Sequence, residues 1–249
     1  ILSSAASDVY KRQSKSSVTL KAGLVALGDF ANTNYTFCVS EDITSPVTDG
    51  FAEFTIDIKQ GTFVTNEFVV DTSQPNQKFI IPNPYVDTST LKVQVRDTLT
   101  SSSRKTYSQI DNIVGISTHS ETFLIQEIQD EKYELLFGDG VLGKRLSNGN
   151  VINSTYIVTD GVGGNGVSNF SFSGKLVDND GGLITSGISD VITNQRSSNG
   201  AEVESIDTIR NLSTRVYSAQ HRAVTANDYE ALIPTIFPNA ESVTAYGGE

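Results

Sequence analysis

Gly138-Asp139-Gly140-Val141-Leu142-Gly143-Lys144 satisfies the GxxxxGK pattern of a phosphate-binding loop, and it follows the apolar run Leu135-Leu136-Phe137. In such a loop the glycine amides cradle the phosphates and the lysine neutralises them. A following Ser or Thr holds the magnesium ion, at a helix N-terminus that faces the anion. Here the next residue is Arg145, and the turn-formers Ser147-Asn148-Gly149-Asn150 follow before a helix can start. Val151–Thr159 beyond them has the β-branched character of a strand. The segment from Tyr133 to Asn165 therefore reads as three strands joined by two tight turns. No phosphate site is expected in it.

Other reactive residues are scattered. His119 and His221 lie far apart, and neither has a second His or Cys at metal-ligand spacing. Asp178-Asn179-Asp180-Gly181-Gly182 opens like a calcium loop but lacks the closing glutamate, with Ser189-Asp190 the nearest candidates, so a solvated turn is expected. Gly161-Val162-Gly163-Gly164-Asn165-Gly166 is glycine-dense without a strand-to-helix switch, which reads as a mobile loop. There is no G-x-S-x-G elbow. The carboxylate pairs Glu202/Glu204 and Asp228/Glu230 sit around helix starts, as exposed charges do. Catalytic, metal and cofactor sites are all expected to be absent.

The elements that must position these residues are mostly strands. Phe54, Ile56 and Ile58 alternate with polar residues, Gln60-Gly61 breaks the run, and Phe63–Val70 returns, which predicts a hairpin over Ala52–Val70. Phe79-Ile80-Ile81 ends at Pro82-Asn83-Pro84. Leu91, Val93 and Val95 alternate, and Phe123–Ile125 and Tyr133–Phe137 flank the polar bend Gln129–Lys132. Beyond Asn199 the period changes. Ile206, Ile209, Leu212, Val216 and Ala219 form one stripe on a helix over Ser205–Gln220, with Asp207 in its first turn. Thr225 and Asp228 have capping-box spacing for a second, short helix ending before Pro234, and Ser242–Ala245 reads as a final strand.

The predicted class is α+β, with antiparallel β-domains followed by a small α+β unit. Residues 1–17 read as a disordered leader or non-native extension, 18–116 as an antiparallel β-domain, 117–176 as a β-hairpin domain and 177–249 as an α+β unit cut off at its end. With no methionine, the 249-residue chain reads as a fragment or processed product. A net charge of −11 argues against a broad nucleic-acid surface. The single cysteine, Cys38, lies in an alternating run and reads as a buried structural thiol. No apolar stretch approaches bilayer-spanning length.

Three segments resemble a known family. Gln77-Lys78-Phe79-Ile80-Ile81-Pro82-Asn83, with Val86-Asp87-Thr88-Ser89-Thr90-Leu91-Lys92-Val93, looks like the β-domain of the baseplate wedge subunit of T-even-like contractile-tailed phages. Phe137-Gly138-Asp139-Gly140 with Gly143, Asn148-Gly149-Asn150, Tyr156 and Gly161…Gly164-Asn165 resembles the signature of the wider baseplate-J-like family. Glu202–Arg210, His221–Thr225 and Asp228-Tyr229-Glu230 resemble that family's C-terminal region. The matches occur in family order over about Gly50 to Glu249.

The resemblance implies a structural protein of the virion tail, assembled in the host cytoplasm. Its expected partners are other baseplate wedge proteins and further copies of itself in a ring around the tail hub. No catalytic centre, small-molecule substrate, nucleic acid or membrane insertion is implied. Each matched residue also has a physical reason to be there. Gly138, Gly140, Gly143 and Gly149 suit tight turns, Asp139 and Asn150 bond turn amides, and Thr225 and Asp228 cap a helix. Ile209, Leu212 and Val216 are the candidate interface, although their stripe also suits burial within its own domain. The competing reading is a virion carbohydrate-binding or adhesin module using Phe63, Tyr85 and Tyr107. The chain has no tryptophan for such a platform.

Overall fold

Period-two alternation builds strands over most of the chain before residue 185. The computed structural model describes residues 2–5, 15–189, 191–202, 205–220, 222–237, 240 and 242–247. His221, Asp190 and Glu204, weighed above as reactive residues, lie outside the described residues. The strands are, in order, β1 (Leu2–Ala5), β2 (Ser17–Leu20), β3 (Gly23–Phe30), β4 (Thr33–Val39), β5 (Ile43–Pro46), β6 (Phe51–Phe54) and β7 (Lys59–Gln60). Then come β8 (Thr62–Val69), β9 (Phe79–Ile81), β10 (Val86–Arg96), β11 (Lys105–Gln109), β12 (Thr122–Glu127), β13 (Tyr133–Phe137) and β14 (Val151–Val158). β15 (Phe170–Phe172), β16 (Leu176–Asp178) and β17 (Leu183–Ile184) precede two helices, α1 (Ile206–Ala219) and α2 (Ala226–Ile236). The class is α+β, as the sequence predicts.

Two units result, one of residues 1–160 and 166–197, the other of 161–165 and 198–249. The first holds a seven-stranded sheet in the order β8-β14-β10-β11-β12-β13-β9, two four-stranded sheets (β15-β3-β4-β7 and β17-β16-β2-β5) and the pair β1-β6. All pairs are antiparallel except β11 with β12, which run parallel. Sheet pairing crosses both boundaries expected at 116 and 176. β11 joins β12, and β16 pairs with β2 from the start of the chain. Leu2–Ala5, within the segment read as an extension, pairs with β6.

The hairpin expected over Ala52–Val70 does not form. β6 sends Ala52 and Phe54 into a core with Val18, Leu20 and Leu176, Ile56 and Ile58 pack on that core without strand pairing, and β8 pairs with β14 instead. Gly61 makes the switch. At φ +136 its amide reaches the Thr36 carbonyl, and a Cβ there would come within 2.3 Å of the Val158 carbonyl. Likewise the three strands expected over 133–159 are two, β13 and β14, with only an isolated bridge between Gly138 and Arg145 in place of the middle one.

The largest core lies on the seven-stranded sheet, where Val93, Val95, Ile81, Leu135, Ile152 and Tyr156 are buried. β14 is paired on both sides, and β10 bulges against it between Asp87 and Lys92. At the bulge the Thr90 hydroxyl accepts a hydrogen bond from Ile157 N–H (2.9 Å) and donates to the Asp87 carbonyl (2.6 Å). Tyr156 is fully buried, yet its hydroxyl donates to Asn83 Oδ1 (2.6 Å) and accepts from the Asn66 amide. Cys38 is buried, as expected, and its thiol donates to the Gly61 carbonyl (3.2 Å). Burial pushes the thiol's pKa up.

In the second unit, α1 starts at Ser205, whose side chain accepts from Thr208 N–H, and ends with Gln220 in the left-handed conformation. α2 runs through Pro234 to Ile236 rather than ending before it. Phe237 N–H donates to the Ile233 carbonyl at 2.7 Å, so the ladder resumes beyond the rung that proline removes. Ser242–Ala245 is not a strand; Ala245 N–H is held by the Glu230 carboxylate (3.2 Å).

Thr90→Val keeps the volume but leaves Ile157 N–H buried without an acceptor. It is expected to lower the unfolding free energy by about 1–3 kcal/mol, read as a reduced urea midpoint at unchanged slope, whereas Thr90→Ser keeps most of the stability. Tyr156 gives a pH signature. Burial pushes its phenol from 10.0 up to about 12, against the opposing effect of the Asn66 hydrogen bond. A raised folded-state value means that its contribution is complete below pH 10 and disappears as pH rises through about 12. Stability measured across that window should fall, and less steeply in Tyr156→Phe.

Candidate functional site

Phe137 anchors the FGDG turn. Its ring lies 5.7 Å from both Phe79 and Tyr107 and 6.3 Å from Phe123, within the main core. From that fixed point the chain leaves β13 and closes on itself. Gly138 and Gly143 touch backbone to backbone: a Cβ on Gly138 would lie 2.2 Å from the Gly143 carbonyl carbon. Gly140 and Gly143 have φ of +94 and +85, and Gly140 N–H donates to the Gly143 carbonyl (3.1 Å).

Asp139 holds the turn from inside. Its Oδ1 accepts from Val141 N–H (2.8 Å) and Leu142 N–H (2.9 Å). The bond from Leu142, then that from Val141, keeps its carboxyl below the ordinary carboxylate range. Gly143 N–H donates to the Ser117 carbonyl and Lys144 N–H to that of Ser120, while the Lys144 ammonium pairs with Glu121 at 2.6 Å. In a phosphate-binding loop these amides and this lysine face an anion. Here a carboxylate from the loop itself, neighbouring carbonyls and Glu121 take those places, and a strand rather than a helix follows. The GxxxxGK match is thus a closed turn. Gly149 (φ +80) and Asn150 form the second turn, where Asn150 Oδ1 accepts from Ser147 N–H (2.8 Å) and Gly149 N–H reaches the Val70 carbonyl (2.8 Å).

The remaining sequence candidates are also held internally. Asp178 Oδ1 accepts from Asp180 N–H (3.1 Å) and Gly182 N–H (2.6 Å), and its other oxygen pairs with Lys15 at 3.2 Å. That is a turn between β16 and β17. Among the described residues no three His, Cys, Asp or Glu side chains group as metal ligands. The glycine-dense segment, expected to be mobile, is a short 3₁₀ turn over Gly161–Gly164. Both atoms of the Asn165 amide tie it to Gly200, Nδ2 to the carbonyl (2.8 Å) and Oδ1 to N–H (2.9 Å). An open depression of about 380 Å³ beside the FGDG turn is lined by Gln74, Gln77, Glu134, Phe137 and Arg145, but Glu134 is already paired with Lys78 at 3.0 Å.

Thr225 and Asp228 form a reciprocal capping box on α2. Thr225 Oγ1 accepts from Asp228 N–H (3.3 Å), and Asp228 Oδ2 accepts from Thr225 N–H (2.8 Å). Of the candidate interface on α1, Ile209 is 47 % exposed while Leu212 and Val216 are half-buried. Only Ala219 of that stripe is buried, so the burial expected for it is partial. Ile206, the first residue of the stripe, is exposed, and so are three large apolar residues that the sequence reading did not single out, Tyr217 on α1 and Ile236 and Phe237 at the end of α2. Of the aromatic residues offered as a sugar platform, Tyr85 is exposed, Phe63 is half-buried and Tyr107 is buried. They form no shared platform of three exposed rings.

No protein-family model matches this chain, and no curated protein matches it.

Asp139→Ala is expected to expose the amides of Val141 and Leu142 to hydrogen exchange, while Asp139→Asn, which keeps an acceptor, retains their protection. In the wild type the protection holds above pH 3.8 and is lost as pH falls through the lowered value of the folded state. Exchange read out by mass spectrometry at acidic pH checks both.

Proposed function

We propose that this chain is a structural subunit of a contractile-tail phage baseplate wedge. In this reading it assembles with other wedge proteins and with itself around the tail hub, and it rearranges when the baseplate switches state. The observation that carries the reading is the ordered set of sequence resemblances from about Gly50 to Glu249. Their residues have fold-determining jobs in the structure: Phe137, Gly138, Asp139 and Gly143 build one turn, Asn150 another, Tyr156 the core network, Asn165 the tie to Gly200, and Thr225 and Asp228 a helix cap.

The exposed apolar residues of α1 and α2 support an assembly role. Ile206, Ile209, Tyr217, Ile236 and Phe237 are large apolar side chains of the small helical unit that face solvent. In a wedge these helices dock on neighbouring subunits, and α1 is the first contact. The antiparallel β-unit serves as a rigid body that keeps its internal contacts while its outer contacts exchange.

Mixing the purified chain with the other wedge proteins of a contractile tail should give a discrete complex by sedimentation or light scattering. Ile209→Glu combined with Tyr217→Glu, both at exposed positions, is expected to weaken that complex by tenfold or more without lowering the melting temperature. Absence of any complex with wedge proteins would overturn the reading.

A further inference from the structure

We propose that the hairpin tip Asp49-Gly50, between β5 and β6, is the site at which the folded chain spontaneously forms isoaspartate. The inference concerns the chemistry of this turn and is independent of the baseplate reading.

An Asp or Asn followed by glycine is the dipeptide most prone to this reaction, because glycine has no side chain to obstruct its own nitrogen. The sequence holds Asp-Gly at positions 49, 139, 160 and 180 and Asn-Gly at 148, 165 and 199. In an unfolded chain the asparagines react first, since a carboxamide is always neutral, whereas a carboxyl must first take up a proton.

The fold reverses this order. The reaction needs a free glycine N–H, and most of these glycines commit theirs to a hydrogen bond. Gly149 donates to the Val70 carbonyl (2.8 Å), Gly166 to that of Ser197 (2.8 Å), Gly140 to that of Gly143 (3.1 Å) and Gly181 to that of Asp178 (3.0 Å). Gly200 donates to Asn165 Oδ1 (2.9 Å). The attacked side chains are held as well. Asn165 binds Gly200 with both ends of its amide, Asn148 Oδ1 accepts from Thr72 N–H (3.0 Å), and Asp160 Oδ2 accepts from Gln60 Nε2 (2.5 Å).

Asp49-Gly50 has neither restraint. Thr48 and Phe51 exchange both backbone bonds (2.8 and 3.0 Å), so the residues between them are the loop of a two-residue hairpin, with φ of +53 and +85. Both are exposed. Among the described residues neither the Asp49 carboxylate nor the Gly50 N–H has a hydrogen-bond partner, and a Cβ on Gly50 would meet nothing within 4 Å. Ring closure requires the Gly50 nitrogen to swing towards Asp49 Cγ. Elsewhere the same movement pulls on a hydrogen bond; here neither loop residue has one to lose.

The reaction balances with water alone. The Gly50 nitrogen gives up its proton and bonds to Cγ of the protonated Asp49 carboxyl, and the Cγ–OH bond breaks to release water. The five-membered imide then takes water back. Opening at Cγ restores aspartate. Opening at the Asp49 main-chain carbonyl carbon leaves the chain running through Cβ and Cγ, with its mass unchanged. That product carries an extra methylene in the backbone of a loop whose length sets the register of its strands. β6 beyond it places Ala52 and Phe54 in the core, so the isoaspartyl chain is expected to melt at a lower temperature.

The test is ageing of the folded full chain in heavy-oxygen water at mildly acidic pH. Peptide mapping with electron-transfer fragmentation then separates isoaspartate from aspartate, and the denatured chain serves as the positive control. Isoaspartate at position 49 is expected at about ten times the level at positions 139, 160 or 180, because a hydrogen-bonded tip must open locally before it reacts. Asp49→Asn keeps the turn, which favours Asn-Gly as well as Asp-Gly, and removes the difference in side-chain chemistry. In that variant position 49 should deamidate ahead of Asn148, Asn165 and Asn199 when folded, and at a similar rate when denatured. Deamidation at any of those three before position 49 overturns the proposal. So does isoaspartate at another Asp-Gly pair at the level of position 49, or an aged chain with none at position 49.

Discussion

Every backbone group of β14 must find a partner inside the protein, because this strand is buried along most of its length with sheet on both sides. The fold of the first unit depends on meeting that demand. β8 satisfies one side without interruption. On the other side β10 bulges, and the ladder alone would leave Ile157 N–H unmet. Thr90 closes the gap with a hydroxyl that occupies the place of a backbone carbonyl. One residue away, Tyr156 turns its hydroxyl onto Asn66 of β8 and Asn83 of the Pro82–Pro84 turn, joining three parts of the chain through one buried group. Polar groups this deep are stabilising when fully paired and costly when not, so they select one register for the whole sheet.

That constraint also explains which parts of the fold are legible in the sequence. Local devices are: the alternation of Leu91, Val93 and Val95, the bend between β12 and β13, the capping box at Thr225 and Asp228, and the stripe that sets α1 all act within a few residues of themselves. Partner choice is not. A period of two says which face of a strand is buried but not which strand lies beside it, so Phe54 and Phe63 look like one hairpin although their strands enter different sheets. The information that separates them sits at Gly61, whose positive φ and missing Cβ matter only because Val158 arrives from a hundred residues away. The parallel contact of β11 with β12 and the return of β16 to β2 are equally non-local. Pro234 misleads in the opposite sense: a proline near the end of a helix removes one rung without forbidding the next.

The candidate site was legible as a set of turns, and the structure gives the reason. Asp139, Asn150 and Asp178 each direct an oxygen at amides within four residues, which is a local pattern that residue type and spacing can encode. The same pattern makes these segments resemble ligand loops, because backbone amides that converge on a carboxylate also suit phosphate or a metal-binding turn. What distinguishes the two cases is occupancy from within. At Gly138–Lys144 the amides of Val141 and Leu142 meet Asp139, those of Gly143 and Lys144 meet the Ser117 and Ser120 carbonyls, and the lysine meets Glu121, so these donors are occupied from within.

Outward-facing backbone and apolar groups lie elsewhere on the chain. The turn carboxylates and amides bond within their own turns, and the depression beside the FGDG turn is open, with Gln74 bonded to Asp71 and Glu134 paired with Lys78 at its wall. The outward backbone groups of Thr65 and Glu67 on β8 and the apolar residues of α1 and α2 are not saturated. A strand edge offers donors and acceptors at fixed spacing, and a helix face offers apolar area. Each is matched by another extended or helical segment more readily than by a small molecule.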